Sequence, residues 1–296
     1  GVLDDAVNEW EIHYSTDEGV TWTFLYDAGS TPVGQPGDMA QFGDDLFICN
    51  GKVAPRKLSG VSIAAAGVTQ SPTVSSAAGA AGLLNGDYRW KLVSMVGEVR
   101  QNGSAPSTNL ALQDKIGSLT WTADANGAVT GYELYRTTGT GTTFYFVAYI
   151  DLRVTAAYSD NTADSTIVGN RVLLEHGDAP PVAYFCEPHK GRMWWLRTDT
   201  YPTRGYWSDP NLPDSVYSYN YLDFSDSELQ GDQITGAFGN FASMLIVFTE
   251  RAVWTVSGTG AVIGAINDWT KNRSNAQIGT VSGRSVVRIP AGSKYQ

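Results

Sequence analysis

Short runs of period-two alternation, each closed by turn residues, fill most of this sequence. Residues 9–14 put Trp10, Ile12 and Tyr14 on one side, and runs of similar length recur at 21–26, 130–136, 144–150 and 252–256. That period belongs to half-buried strands rather than helices. The 32 Gly and 12 Pro supply the punctuation, and charged residues make up only 17% of the chain. Long solvated helices need more Glu, Lys and Arg than that for their outer faces. An all-β chain is expected. A hydrophobic content of 42% is too high for disorder. Apolar runs such as 244–248 are strand-sized and fall short of the ~20 residues of a membrane-spanning helix, so no membrane partner is expected.

A formal net charge of −10 opposes binding to a phosphate backbone, which relies on Lys and Arg displacing counterions. Specific nucleic-acid binding is not expected. Cys49 and Cys186 each follow apolar residues and read as two buried structural thiols with no disulfide framework. No metal site is expected. His13, His176 and His189 lack a ligand spacing, and Cys186 with His189 is a single pair; His13 reads as polar-facing and His189 as a turn residue. No cofactor loop or nucleophile elbow occurs, so no catalytic residue is assigned and no cofactor is expected. The densest acidic cluster is Asp223, Asp226 and Glu228, read as a solvated loop rather than paired catalytic carboxylates or Ca²⁺ ligands. The aromatics Trp194, Trp195, Tyr206, Trp207, Tyr217, Tyr219 and Tyr221 crowd into thirty residues. They offer either a packed core or an interface, with protein contact ahead of glycan.

A strand–turn–strand unit also repeats. Residues 39–49 and 234–248 each read as a short strand ending in Phe-Gly, a polar turn and a strongly apolar strand, and 182–196 is a looser copy turning at 188–191. The last two copies start roughly fifty residues apart, the scale of one four-stranded propeller blade. Residues 62–82 are small and low in complexity and read as a linker or edge loop. The strands after it, from Gly86 to about Asp164, have the spacing of a β-sandwich.

Three resemblances follow. Ser15, Asp17, Gly19, Thr21 and Trp22 match Ser-x-Asp-x-Gly-x-Thr-Trp and resemble the Asp box of sialidases and other β-propellers. In that turn Asp17 is expected to bond nearby amides, Gly19 to take a positive φ and Trp22 to pack beneath. Leu-Thr-Trp121, Gly-Tyr132-x-Leu-Tyr135-Arg and Tyr158-Ser-Asp160 resemble a fibronectin type III module, although the strand at 86–92, normally late in that fold, comes first. Finally, Tyr206-Trp-Ser-Asp-Pro210, Gly-Asp-Gln-Ile-Thr-Gly at 231–236 and Glu250-Arg-Ala-Val-Trp254 are similar to β-propeller virion proteins of tailed bacteriophages, of the tail tubular or nozzle type.

These readings give residues 1–63 as one or more propeller blades with the Asp-box hairpin, 64–174 as an inserted fibronectin III-like sandwich, and 175–296 as further blades. Outside the insert about 185 residues remain, about four blades of ~45 residues. Three are identifiable, with a fragment of a fourth from about Ile278. With a start at Gly1 and a stop soon after the strand-like 285–289, the chain reads as a processed product or, preferably, as one segment of a longer protein, and too few blades for a closed propeller point to a longer parent chain or to closure by a neighbouring copy. The phage resemblance implies a structural virion protein in the neck or tail, not an enzyme, forming a ring with copies of itself and contacting other neck or tail proteins. It also implies DNA at most as passing cargo in a lumen, where an acidic wall would repel DNA rather than grip it. The alternative is a glycan-binding or glycan-cleaving propeller, sialidase-like or depolymerase-like.

Overall fold

The computed structural model describes residues 2–4, 9–27, 37–226, 231–263, 266–275 and 278–282. The strand-like 285–289 and Glu228 lie outside the described residues. The chain forms two compact units, one of residues 1–67 with 177–296 and the other of residues 68–176. Both are built of small antiparallel sheets, and among the described residues the one α-helix is a single turn, α1 (Asp164–Ile167). The fold is all-β.

In the first unit, β1 (Val2–Asp4), β2 (Glu9–Tyr14) and β3 (Thr23–Asp27) make a three-stranded sheet. Next, β4 (Asp38–Phe42), β5 (Asp45–Cys49), β6 (Arg56–Ser59) and β7 (Ser62–Ala65) run up and down as a four-stranded sheet in chain order.

The second unit contains β8 (Ser75–Tyr88), β9 (Trp90–Val96), β10 (Val99–Arg100), β11 (Leu110–Thr120), β12 (Gly131–Arg136), β13 (Tyr145–Asp151) and β14 (Ala157–Asp160). They form sheets of order β14-β11-β8 and β10-β9-β12-β13. One core joins the two sheets, with Leu84, Tyr88, Leu112 and Leu119 from the first and Trp90, Leu92, Tyr132 and Leu134 from the second. The expected linker at 62–82 is instead mostly strand: it holds β7 and the first half of β8. Its small residues have a packing reason. A Cβ at Gly79 or Gly82 would meet Ile116 side-chain atoms at 2.5 Å, so bulk there would force β8 off β11.

The first unit resumes with two more four-stranded sheets. One runs β15 (Phe185–His189), β16 (Arg192–Leu196), β17 (Arg204–Asp209) and β18 (Leu212–Asp223). The other pairs β19 (Ile234–Phe241), β20 (Met244–Thr249) and β21 (Val253–Ser257) with β24 (Thr270–Arg273), the small hairpin β22 (Val262–Ile263) and β23 (Ile266–Asn267) intervening. Lys190 and Gly191 turn β15 into β16 with φ of +48° and +69°, the left-handed pair that a tight two-residue hairpin requires.

The third apolar repeat turns later than the sequence suggests. β19 continues through Phe238-Gly239 with a break in register between Phe238 and Phe241, and the chain reverses at Ala242-Ser243. Gly239 serves close approach, not a turn: a Cβ there would lie 2.2 Å from the Pro188 carbonyl oxygen.

Consecutive tryptophans on β16 organise the core. Neighbouring strand residues point to opposite faces, and both faces of this sheet are covered. Trp195 meets Phe47 of the β4–β7 sheet edge to face at 5.8 Å. Trp194 meets Trp207 at 5.3 Å and Trp269 at 5.2 Å. One buried cluster therefore joins the β4–β7 and β15–β18 sheets, and a second joins β15–β18 to the sheet of β19. β15 lies beside β4 on one side and β19 on the other. Cys186 donates its main-chain N–H to Asp38 at 3.0 Å, and Gly239 donates its own to Glu187 at 2.7 Å.

Candidate functional site

Four of the seven clustered aromatics belong to the core. Trp194, Trp195, Tyr206 and Trp207 are all buried. They stand as two cross-strand pairs, Trp194 with Trp207 and Trp195 with Tyr206, in the twice-covered sheet. Burying that much aromatic surface stabilises this sheet. On β18 the side chains differ. Tyr219 is 70% exposed and stacks on half-buried Tyr217 at 5.1 Å. Tyr221 is half-buried beneath the Arg204 guanidinium, which also covers Tyr201. A shallow cleft of about 330 Å³ nearby is lined by Lys52, Asp199, Tyr201 and Tyr206 among others. Lys52 and Tyr184 both bond Asp199 there, at 2.9 and 2.5 Å, so its polar groups already hold one another.

The Asp-box turn is a local hydrogen-bond device. Thr21 donates its N–H and its hydroxyl to the two carboxylate oxygens of Asp17, at 2.8 and 2.5 Å, and Ser15 Oγ donates to Asp17 at 2.7 Å. The Thr21 bonds, with Ser15 adding to them, hold the Asp17 carboxyl down at about 2. Gly19 has φ +91°, and its N–H reaches Ser15 Oγ at 2.8 Å. Trp22 lies against the turn without being buried by it. It touches the open face of Gly19 and remains 60% exposed, beside exposed Val20 and Phe24.

The acidic residues at 223 and 226 are tied to cations. Asp223 accepts from Thr203 Oγ1 at 2.7 Å and Ser225 N at 3.0 Å, with Arg204 3.7 Å away. Burial opposes its charge, but those bonds and Arg204 outweigh it and hold the carboxyl below the ordinary range. Asp226 pairs with Arg273 at 3.0 Å. A general acid needs the opposite shift.

Of the three histidines, His189 departs from expectation. It is the last residue of β15 and fully buried, with Nδ1 3.1 Å from Asn240 Oδ1, and burial lowers its imidazole pKa. His13 sits 2.7 Å from Glu11 and His176 3.1 Å from the Arg100 carbonyl.

Tertiary packing creates one grouping with no signal in the spacing. Asp38 and Cys49 are cross-strand partners on β4 and β5, and β15 brings Cys186 against them. One ligand-capable atom from each of the three lies within 4.8 Å of the others. Both cysteines are free thiols at 1% exposure. Burial raises the Cys49 thiol, and contact with Cys49 followed by burial raises Cys186 well above its ordinary value. Glu187, one residue on, is pushed up to about 7 by burial, against the Gly239 N–H it accepts and with the Asp38 charge adding to the rise.

No protein-family model matches this chain, and no curated protein sequence matches it at a significant level.

Proposed function

We propose that this chain is a structural virion component of a tailed bacteriophage, a propeller-type body with an inserted fibronectin-like sandwich that forms a ring with copies of itself in the neck or tail. The observation that carries this reading is the succession of sheets β4–β7, β15–β18 and β19–β24. Each is an up-and-down antiparallel sheet, their first strands stand side by side, and buried clusters fill the spaces between them. That is how propeller blades pack. In the second unit, one core shared by two sheets supports reading the insert as a sandwich.

A conduit protein works by being rigid and by contacting its neighbours. Rigidity comes from the aromatic seams between sheets. Contact surface comes from exposed apolar side chains such as Val20, Trp22 and Phe24 at the Asp-box hairpin and Tyr219 on β18. A net charge of −10 suits a wall past which DNA slides without adhering. Against the glycan alternative stand the buried tryptophans and the cation-paired Asp223 and Asp226.

Mass spectrometry of purified tailed-phage particles tests the reading, together with the native mass of the isolated protein. The expected result is this polypeptide in many copies per particle and a multi-subunit ring. A monomer absent from particles that releases reducing sugar from capsular polysaccharide, with turnover lost in Asp223→Asn, overturns it.

A further inference from the structure

We propose that Asp38, Cys49 and Cys186 form a site for a borderline-soft divalent cation, Zn²⁺, which staples the β4–β7 sheet to the β15–β18 sheet. The inference is independent of the phage reading, since it rests on three side chains in one unit.

The geometry comes first. Three donors converge from three strands, with one candidate atom each inside 4.8 Å. Tetrahedral zinc, with Zn–S of ~2.3 Å and Zn–O of ~2.0–2.2 Å, sets its ligand atoms roughly 3.5–3.8 Å apart. Closing the set therefore asks for movements of about 1 Å or less, which side-chain rotation supplies. Main-chain oxygens of Phe47 and Asp38 lie 3.8 and 4.0 Å from Cys186 Sγ, so a carbonyl is at hand for the fourth position.

The donor chemistry selects the ion. Two thiols and one carboxylate suit zinc and its neighbours, whereas Mg²⁺ and Ca²⁺ require oxygen shells. Asp38 places a carboxylate beside the two thiols. Binding converts Zn²⁺, two thiols and the Asp38 carboxylate into a bis-thiolate carboxylate complex. The two thiol protons leave to solvent, and no electron is transferred.

The topology gives the site its consequence. Asp38 and Cys49 belong to one sheet and Cys186 to the next, and the stretch between Cys49 and Cys186 includes the whole second unit. A metal that binds only the folded arrangement stabilises the seam by mass action.

The test uses the full chain, reduced and stripped with a chelator, then titrated with Co²⁺ and afterwards with Zn²⁺. Expected are thiolate-to-cobalt charge-transfer and tetrahedral d–d absorption saturating at one ion per chain, loss of both bands on zinc addition, and a higher thermal midpoint with either metal. Cys49→Ala and Cys186→Ala should each remove the charge-transfer signal, and Asp38→Asn should weaken binding by at least the ~10–100-fold typical of outer-shell changes. Unchanged near-ultraviolet circular dichroism shows that a variant has folded, and with two independent cysteine variants one that fails to fold still leaves the other to decide. No uptake by the parent chain overturns the proposal. So does uptake that survives in either folded Cys→Ala variant. A purified chain lighter by two hydrogens, with Cys49 joined to Cys186, overturns it as well.

Discussion

Cys186 donates its main-chain N–H to the carboxylate of Asp38 at 3.0 Å, although 148 positions separate the two residues. The bond crosses from one four-stranded sheet to the next, where their first strands lie together. Asp38→Ala removes the acceptor and leaves a partly buried N–H without it. In the metal-free protein this change should cost about 1–3 kcal/mol, and Asp38→Asn, which keeps an acceptor oxygen, should cost less. Urea unfolding in the presence of a chelator measures both.

Arg136 and Asp160 form a fully buried ion pair at 2.8 Å in the second unit. Trp90 Nε1 also donates to Asp160, and Arg136 reaches Asp164 and the Thr162 carbonyl. Arg136→Met strands the Asp160 charge in the core. A loss of about 3–5 kcal/mol is expected, because breaking one side of a buried pair leaves its desolvation uncompensated. Hydrogen exchange should show lost protection concentrated in β9, β11, β12 and β14.

Glu187 links stability to pH. Its carboxyl rises from 4.5 to about 7 on folding. The folded chain thus holds a proton that the unfolded chain has released, and stability falls as pH rises from about 4.5 to about 7. Below that window the contribution is complete, and above it the loss is level. Glu187→Gln should remove this slope and stabilise the metal-free protein at pH 8 by about 1–2 kcal/mol, solvent screening having reduced the full value of the shift. Parallel denaturation of both proteins from pH 4 to pH 8 measures the difference.

Asp17 should behave in the opposite sense. Its carboxyl is held down at about 2 by the Thr21 and Ser15 bonds, so the turn keeps its charge-assisted bonds above the ordinary carboxylate range and loses them as pH falls through about 2. The Thr21 amide resonance should titrate at that lower value. In Asp17→Ala the amides of Gly19 and Thr21 should exchange faster, with little change elsewhere, since every bond involved is local.

Trp194 and Tyr219 should separate core from surface. Trp194 packs against two other tryptophans in a sheet covered on both faces, and Trp194→Ala should cost about 3–5 kcal/mol. Tyr219 is exposed, and Tyr219→Ala should alter unfolding by no more than about 0.5 kcal/mol. Circular dichroism melts give both values, and the same Tyr219 variant shows whether self-association depends on that side chain.

The all-β class was legible because alternation and turn residues are local properties. β2, β12 and β16 form where the strand-like runs lie, and Lys190-Gly191 is a turn whose chemistry lies within two residues. The partners of Asp17 likewise lie within four positions of it. Other assignments needed neighbours distant in sequence. Gly239 reads like a turn residue until Pro188 is seen against it, and the Ala- and Gly-rich start of β8 reads like a linker until Ile116 lies across it. Trp194 and Trp195 read equally well as interface or core. Sheets packing on both faces of β16 made them core.

By itself, then, the sequence determined strands, turns and the choice of an all-β fold, since each depends on residues a few positions apart. Only the tertiary structure decided which strands stand side by side, that His189 is buried, and that Asp38, Cys49 and Cys186 share one site. Those outcomes depend on how sheet faces pack, and residues brought together that way leave no mark in sequence spacing.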